Sequence, residues 1–365
     1  MRVIVKIGTS SLTDETGAID PKSVHKVCND IAQLRSAGHS VILVTSAAIS
    51  AGLPVLGFSG KRPKNTKTLQ AAAAVGQSRL LKLYDEALDS HGLVGGQILL
   101  SPNDFFNRTQ YLHVRETLDE LLRLGAVPII NENDAVADDE IRFGDNDRIA
   151  ALVSHAMRAD HLILLTDMAG LMTADPRVDP DARVIEHVVR IDSELLAIAG
   201  PSGTNRGSGG MTSKVTAAAI ASWSGVVTTI AGAARPDVCI DAIAGKSVGT
   251  RVEASDKTMT ARKLWVAFAL PMAGVISVDS GAAKALTADG KSLLSAGIKS
   301  ADGEFQAGQG VEIVDPDGSV VARGVTRLDS SSVARYAGTQ QGDLPVDVSS
   351  VVVHRDNLVA LKDLL

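Results

Sequence analysis

Aromatic residues make up only 3% of this 365-residue chain. A core must therefore close mainly through aliphatic side chains packed between helices and sheet. Cysteine is limited to Cys28 and Cys239, far apart and without a Cys-x-x-Cys partner. That excludes a disulfide framework and predicts two buried free thiols in a reducing cytosol. The eight histidines are scattered without the spacing that zinc ligands require. Positive charge is not in excess: a formal charge of −6 gives no general attraction to nucleic acid or to an anionic membrane. No uninterrupted apolar run is long enough to span a bilayer. The opening Met1-Arg2-Val3-Ile4-Val5-Lys6 is charged too early for a signal peptide, so the expected location is cytoplasmic.

What is present is an ordinary globular balance, 45% apolar and 21% charged, with length enough for two domains. Buried strands are predicted at Arg2 to Ile7, Ser40 to Thr45, Gln97 to Leu100, from Val127, at His161 to Thr166 and at Val226 to Ala231. Helices are predicted between them: from Pro21 with Asp20 as N-cap to Gly38, at Thr68 to Ser90, Thr109 to Leu124, Asp147 to Met157, after Gly209-Gly210 through Lys214 to Trp223, and at Pro236 to Ala244. This alternation predicts an α/β fold, an open, mostly parallel sheet between helices. After about Val252 the pattern changes to short, turn-rich strands around Asp315-Pro316-Asp317-Gly318. The expected organisation is a domain over 1–253, a linker over 254–271, a small β-rich domain over 272–356 and a tail over 357–365.

The densest polar stretch follows the strand at Val127. Asn131, Glu132, Asn133, Asp134, Asp138, Asp139, Glu140, Asp145, Asn146 and Asp147 leave the carboxyl end of a buried strand, where open sheets bind ligands. A solvated acidic loop is the plainer reading. The interleaved asparagines favour a site for a small zwitterion, with carboxylates and carbonyls for an ammonium group and amide donors for a carboxylate.

Three other stretches carry chemistry. In Lys6-Ile7-Gly8-Thr9-Ser10, a strand-end lysine beside a Gly-Thr-Ser turn can meet a phosphate. From Gly200 to Lys214, five glycines lead straight into a helix. A linker would not normally do so, and backbone N–H groups with Lys214 one turn further on suit an anion. The ordinary phosphate loop, Gly-x-x-x-x-Gly-Lys-Ser/Thr, is absent: before Gly245-Lys246-Ser247 and Gly290-Lys291-Ser292 the earlier glycine is Ile240 and Ala285. Thr166-Asp167, at a strand end, could hold a ribose or base, or simply cap a turn. Two lysines, a glycine cradle and an acid-rich pocket suit phosphoryl transfer, whose transition state spreads negative charge over the moving group. The acids would bind an amine-bearing acceptor and help retain Mg²⁺ with the nucleotide.

Lys6-Ile7-Gly8-Thr9-Ser10, Val44-Thr45-Ser46, Asn131-Glu132-Asn133-Asp134, Gly144-Asp145-Asn146-Asp147, Thr166-Asp167, Thr173-Ala174-Asp175-Pro176-Arg177 and Gly209-Gly210-Met211 with Lys214 together resemble the glutamate 5-kinase family. The resemblance spans almost the whole chain. Gly297-Ile298 and Ala322-Arg323-Gly324 lie in a segment similar to that family's C-terminal PUA domain. It implies the amino acid kinase fold and ATP-dependent phosphorylation of the L-glutamate γ-carboxylate, with ATP and Mg²⁺, at the start of proline biosynthesis. On this resemblance the catalytic residues are Lys6 and Lys214, which stabilise the moving phosphoryl group, Asp147, which holds the lysines, and Asp145, which orients the lysine and glutamate side. Ser46, Asp134 and Asn146 bind glutamate. Lys6, Thr166, Asp167 and the loop Ser208, Gly209, Gly210, Met211, Thr212, Ser213 and Lys214 hold ATP. The substrate carboxylate is itself the nucleophile, so no general base is implied. Feedback inhibition by proline and a homo-oligomer are further implications.

Two positions depart from the family pattern. Ala47 stands where glycine is usual, so its turn should either take an ordinary φ or be strained. Arg142 stands where many members have lysine, with the charge kept. The alternatives are another kinase of the same fold, acting on aspartate, acetylglutamate or UMP, or an RNA-binding protein acting through the PUA-like segment. The first group does not combine Asn-Glu-Asn-Asp, Gly-Asp-Asn-Asp and such a tail. Against the second, residues 272–355 carry seven Lys/Arg and ten Asp/Glu, without the basic footprint of phosphate-backbone binding.

Overall fold

The computed structural model describes residues 1–58, 62–105, 107–136, 146–176, 178–199, 210–256, 258–268 and 270–361. The chain divides into two compact units, Met1–Thr258 and Met259–Leu365.

The first unit begins with β1 (Arg2–Ile7), the short α1 (Thr9–Leu12), α2 (Pro21–Ser36), β2 (Ser40–Thr45), α3 (Ala48–Gly52) and α4 (Thr66–Asp89). It continues with β3 (Gly95–Leu100), α5 (Arg108–Arg123), β4 (Val127–Glu132), α6 (Asn146–Ala156) and β5 (His161–Thr166). It closes with β6 (His187–Val188), α7 (Ser193–Ile198), α8 (Met211–Ser222), β7 (Val227–Gly232), α9 (Val238–Ile243) and β8 (Gly249–Val252). The predicted alternation is there; α1, α3, α7, β6 and β8 were not anticipated, being too short to show a period.

The local causes are legible. Asp20 accepts hydrogen bonds from Lys22 N at 3.1 Å and Ser23 N at 3.2 Å, with Pro21 at the first helical position. Asn65 and Asn107 cap α4 and α5 in the same way. Alternate strand residues Val3, Val5, Ile7, Val41, Leu43, Ile163 and Leu165 pack with Val24, Val27, Ile31 and Leu34 of α2, with α4 and with α9. The residues between them, including Lys6, must point to the other face, where α6 packs on β1, β2 and β5. Tyr84 is fully buried, its hydroxyl 2.7 Å from Thr45 Oγ1. Cys28 and Cys239 are buried free thiols, and burial pushes the Cys28 pKa up to about 12.

The eight strands run β3-β4-β2-β1-β5-β7-β8-β6, all parallel except for the antiparallel β7–β8 pair. From β1 the chain lays β2 alongside, runs out to β3 at the edge, fills the gap between β2 and β3 with β4, then crosses to place β5 on the other side of β1. That reversal opens a crevice beyond the carboxyl ends of β1 and its neighbours, the usual binding place in such sheets. Helix α3, just after β2, is drawn tightly against α4. A Cβ on Gly52 would lie 1.9 Å from Ala72 O, and one on Gly76 would lie 1.7 Å from Ala48 O. Glycine is the only residue that permits this approach.

The second unit contains α10 (Ala261–Phe268), β9 (Met272–Val278), α11 (Ser280–Thr287), β10 (Leu293–Leu294), β11 (Ile298–Asp302), β12 (Gly310–Val314), β13 (Val320–Thr326), α12 (Ser330–Tyr336) and β14 (Val351–Ala360). Its six-stranded sheet runs β10-β14-β13-β12-β9-β11, with only β9–β12 parallel. The expected linker over 254–271 therefore divides. From Met259 it belongs to the second unit, where α10 packs on β14 and β13. Likewise β14 continues to Ala360, beyond the boundary drawn at 356. No helix among the described residues is long and apolar enough to cross a membrane.

Candidate functional site

Four neighbouring strands, β4, β2, β1 and β5, deliver Asn131 and Glu132, Ser46, Lys6 and Thr166 to the same edge of the sheet. Across it stand the first turns of α6, with Asn146 and Asp147, and of α8, with Lys214. Lys6, Ser46, Asn131, Glu132, Asp134, Asn146, Asp147, Thr166 and Lys214 are all buried. Nine polar side chains buried at one edge need a reason, because each gives up hydration to be there.

One group is ionic. Asp147 is 1% exposed. Its Oδ1 lies 2.7 Å from Lys6 Nζ and its Oδ2 lies 3.2 Å from Lys214 Nζ. Ser213 Oγ donates to Oδ2 at 2.7 Å. Burial pushes the Asp147 pKa up, but the Lys214 and Lys6 charges outweigh it and hold the carboxyl well below the usual carboxylate range. Two ammonium groups share one carboxylate. The three together carry one net positive charge in a place shielded from water, an arrangement that attracts an anion strongly. A Cβ on Gly8 would lie 3.4 Å from Lys6 Nζ, an ordinary contact distance.

The other group is neutral. Asn146 Nδ2 donates to Asn131 Oδ1 at 2.9 Å and to Ser46 Oγ at 3.2 Å. Its Oδ1 accepts from Glu132 N at 3.0 Å. Asp134, 5% exposed, lies one short turn beyond β4. Burial pushes its pKa up to about 6, with the Arg62 charge pulling the other way. A buried carboxyl poised in this way gains from the arrival of a cation such as a substrate ammonium.

Of the residues singled out in the sequence, Lys6, Asp147, Lys214 and Ser213 thus converge, as do Ser46, Asn146 and Asn131. Gly210 caps α8, with Met211 and Thr212 in its first turn, and Thr212 Oγ1 donates to Ala199 O at 3.3 Å. Thr166 and Asp167 are joined to each other at 3.1 Å. They line a cavity of about 820 Å³, with Ile7, Val27, Leu165 and Arg235, on the α2 face. Lys6, Asp147 and Lys214 are not among its lining residues. Asp145, Ser208 and Gly209 lie outside the described residues, as do Asp138, Asp139, Glu140, Arg142 and Gly144. Sequence reasoning passed over Gln77, whose Oε1 accepts from Asn131 Nδ2 at 3.3 Å. The available signal was a polar residue on the buried stripe of α4 marked by Ala73, Gly76, Leu80 and Tyr84.

Ala47 takes the strained branch of the expectation. Its φ is 81° and its ψ 11°, left-handed backbone at the N-cap of α3, immediately after Ser46. Among the described residues no three histidines, cysteines or acids converge on one point, and both Asp147 oxygens face lysines.

A sheet with this order, bearing buried lysines around an aspartate at its carboxyl edge, defines the amino acid kinase class. The family model described as "Amino acid kinase family" matches residues 1–231, and that of the PUA domain matches 274–343. The carbamate kinase of Giardia lamblia bound to AMP-PNP has a similar fold, with a TM-score of 0.50 at 18% identity over 69% of this chain and 98% of that one. More specific are the glutamate 5-kinases. That of Caldanaerobacter subterraneus is 43% identical over 99% of this chain and 98% of its own length. That of Trichlorobacter lovleyi is 44% identical over 99% and 96%. The chain belongs to the glutamate 5-kinase family.

Proposed function

We infer that this chain transfers the γ-phosphoryl group of ATP to the γ-carboxylate of L-glutamate, forming L-glutamyl 5-phosphate and ADP at the entry to proline biosynthesis. The observation that carries the reading is the adjacency of two buried groups at one sheet edge. One is a carboxylate shared by two lysines; the other is an amide and hydroxyl cluster suited to an amino acid.

The chemistry follows from these residues. A γ-carboxylate oxygen of glutamate attacks the γ-phosphorus, and the bond from that phosphorus to the β,γ-bridging oxygen breaks. A carboxylate is already a nucleophile at neutral pH, so no proton needs removing. Negative charge spreads over the transferring oxygens, and Lys6 and Lys214 meet it as preorganised cations. Asp147 keeps the two ammonium groups in place and lowers the cost of burying them together. Ser46 and Asn146 hold the amino acid by hydrogen bonds, and Asp134 faces its ammonium group. Asp145 completes the lysine and glutamate side of this reading. ATP is assigned to Lys6, Thr166 and Asp167 and to the segment Ser208, Gly209, Gly210, Met211, Thr212, Ser213 and Lys214. Mg²⁺ is expected to accompany the nucleotide as counter-ion to its phosphates, and no step here is routed through it.

The wider reading takes proline as feedback inhibitor, a homo-oligomer as the assembly and the cytoplasm as the location. A kinase domain ending near 253 would then act without the PUA domain. Assaying ATP consumption with glutamate, aspartate, acetylglutamate and UMP, with hydroxylamine trapping any acyl phosphate, tests the activity. Glutamate should give a hydroxamate. Preference for another acceptor would reassign the substrate.

A further inference from the structure

We propose that Gln77 is a positioning residue: it braces Asn131, and through it Asn146, in the orientation that the Glu132 N–H dictates, so that Ser46 presents its hydroxyl proton to the substrate's carboxylate. The proposal rests on the reading of this pocket as the amino-acid site.

Both ends of the chain of amides meet the backbone of Glu132. Its N–H donates to Asn131 Oδ1 at 2.9 Å and to Asn146 Oδ1 at 3.0 Å. Its carbonyl accepts from Gln77 Nε2 at 3.4 Å. A backbone N–H can only donate and a carbonyl can only accept, so these contacts dictate which end of each amide is oxygen. With nitrogen toward Glu132 O, Gln77 turns its oxygen to Asn131 Nδ2 at 3.3 Å. Gln97 Nε2, on the exposed side, holds that same oxygen at 3.2 Å. Asn131 then presents oxygen to Asn146 Nδ2 at 2.9 Å, and Asn146 spends its remaining N–H on Ser46 Oγ at 3.2 Å. Ser46 Oγ is thereby an acceptor within the protein, and its own proton is left to donate outward.

The alternative polarity is blocked. If Asn131 turned over, its NH₂ would face the Glu132 N–H and the Asn146 NH₂, donor against donor. Asn131 and Asn146 are each 2% exposed, so water cannot relieve such a conflict. Gln77 is the member reaching in from α4, outside the strand-end motif. Its loss would leave Asn131 Nδ2 without this acceptor and loosen the whole sequence of bonds.

The test is steady-state kinetics on the full chain. Gln77→Met should raise the KM for glutamate about tenfold, the scale of a lost buried hydrogen bond. Both kcat and the KM for ATP should stay within about twofold, because Asp147 holds the lysines independently. Combining Gln77→Met with Asn131→Ala should raise the glutamate KM no further than Asn131→Ala alone, since the effect passes through Asn131. Ser78→Ala, the exposed neighbour on α4, should be unchanged. If Gln77→Met does not fold, Gln77→Ala, which keeps the helix propensity of α4, takes its place. An unchanged glutamate KM in the folded variant, or effects that multiply in the double variant, overturns the positioning role while leaving the substrate reading intact. A wild type that forms no acyl phosphate from glutamate overturns the substrate reading, and this proposal with it.

Discussion

The two buried groups at the sheet edge meet the same problem, polar atoms removed from water, by opposite means. Around Asp147 the solution is charge: two ammonium groups on one carboxylate, with both oxygens taken. Around Asn146 it is neutral directionality: amides and a hydroxyl, each bond polarised by the next. The difference matches what each would handle. A phosphoryl group in flight needs positive potential more than shape. A small zwitterion needs donors and acceptors placed so that a wrong acceptor leaves buried groups unpaired, the condition under which discrimination is steep. On the proposed reading, charge serves rate and directional amides serve selectivity.

Breaking the ionic half should have the largest effect. Asp147→Asn takes away the carboxylate that two buried ammonium groups share, a loss on the order of 3–5 kcal/mol for a broken buried pair. Thermal and urea unfolding should show it, and a midpoint like the wild type's would mean that the lysines are not held by this carboxylate. The sign with pH follows. The folded pKa of Asp147 lies below the ordinary aspartate value of 3.8, so its stabilisation is fully present above that value. It is lost as pH falls through the folded pKa.

Removing one cation should be next. Lys214→Ala and Lys6→Ala should each lower kcat on the order of 100-fold or more and change the glutamate KM much less. A pure KM effect would make them binding residues and erase the division of labour between the halves. On the neutral side, Asn146→Ala removes one hydrogen bond each from Ser46 Oγ, Asn131 Oδ1 and the Glu132 N–H. Calorimetric titration should find glutamate affinity weakened roughly tenfold or more, with ATP affinity kept. Equal loss of both ligands would merge the two groups into one.

A pH series sharpens the comparison. Asp134 has its pKa raised to about 6 by burial. Its contribution to stability is therefore greatest at low pH and is lost as pH rises through about 6, the reverse of Asp147. The free carboxylate, however, is the form that meets an ammonium. Below about pH 6 the glutamate KM should rise, approaching tenfold per pH unit, and Asp134→Asn should flatten that rise while weakening binding at pH 8. A KM indifferent to pH from 5 to 8 would remove Asp134 from the amino-acid side. The smallest effect belongs to Ala47→Gly. The left-handed backbone costs alanine about 1 kcal/mol relative to glycine, but the extra freedom of an unfolded glycine offsets about 0.4–1 kcal/mol. Ala47 already holds a φ of 81°, the backbone that glycine would take at this turn. Stability and both KM values should move little; a clear fall in glutamate KM would show that the turn must deepen its strain to bind.

Much of this architecture was legible beforehand because its causes are local. The Asp20-Pro21 cap, the Ser40–Thr45 strand and the apolar stripe of α2 each depend on residues within a turn or two of one another. Short elements were not legible. Helix α3 exists because Gly52 and Gly76 let it touch α4, a relation between distant residues with no period to reveal it. Helix α10 read as linker because its apolar face is matched by β13 and β14, strands that follow it by many residues.

The sequence by itself determined the class of fold, the family and which residues are chemically able to act, since periodicity, caps and motifs are written along the chain. It marked Lys6, Asp147 and Lys214 as candidates through their separate neighbourhoods. Only the tertiary structure decided that the two lysines share the Asp147 carboxylate, that Ala47 keeps a glycine's backbone, and that Gln77 completes the line of amides ending at Ser46. The physical reason is that charge sharing and hydrogen-bond polarity depend on distance and direction in space, and both vanish when the chain is laid out straight.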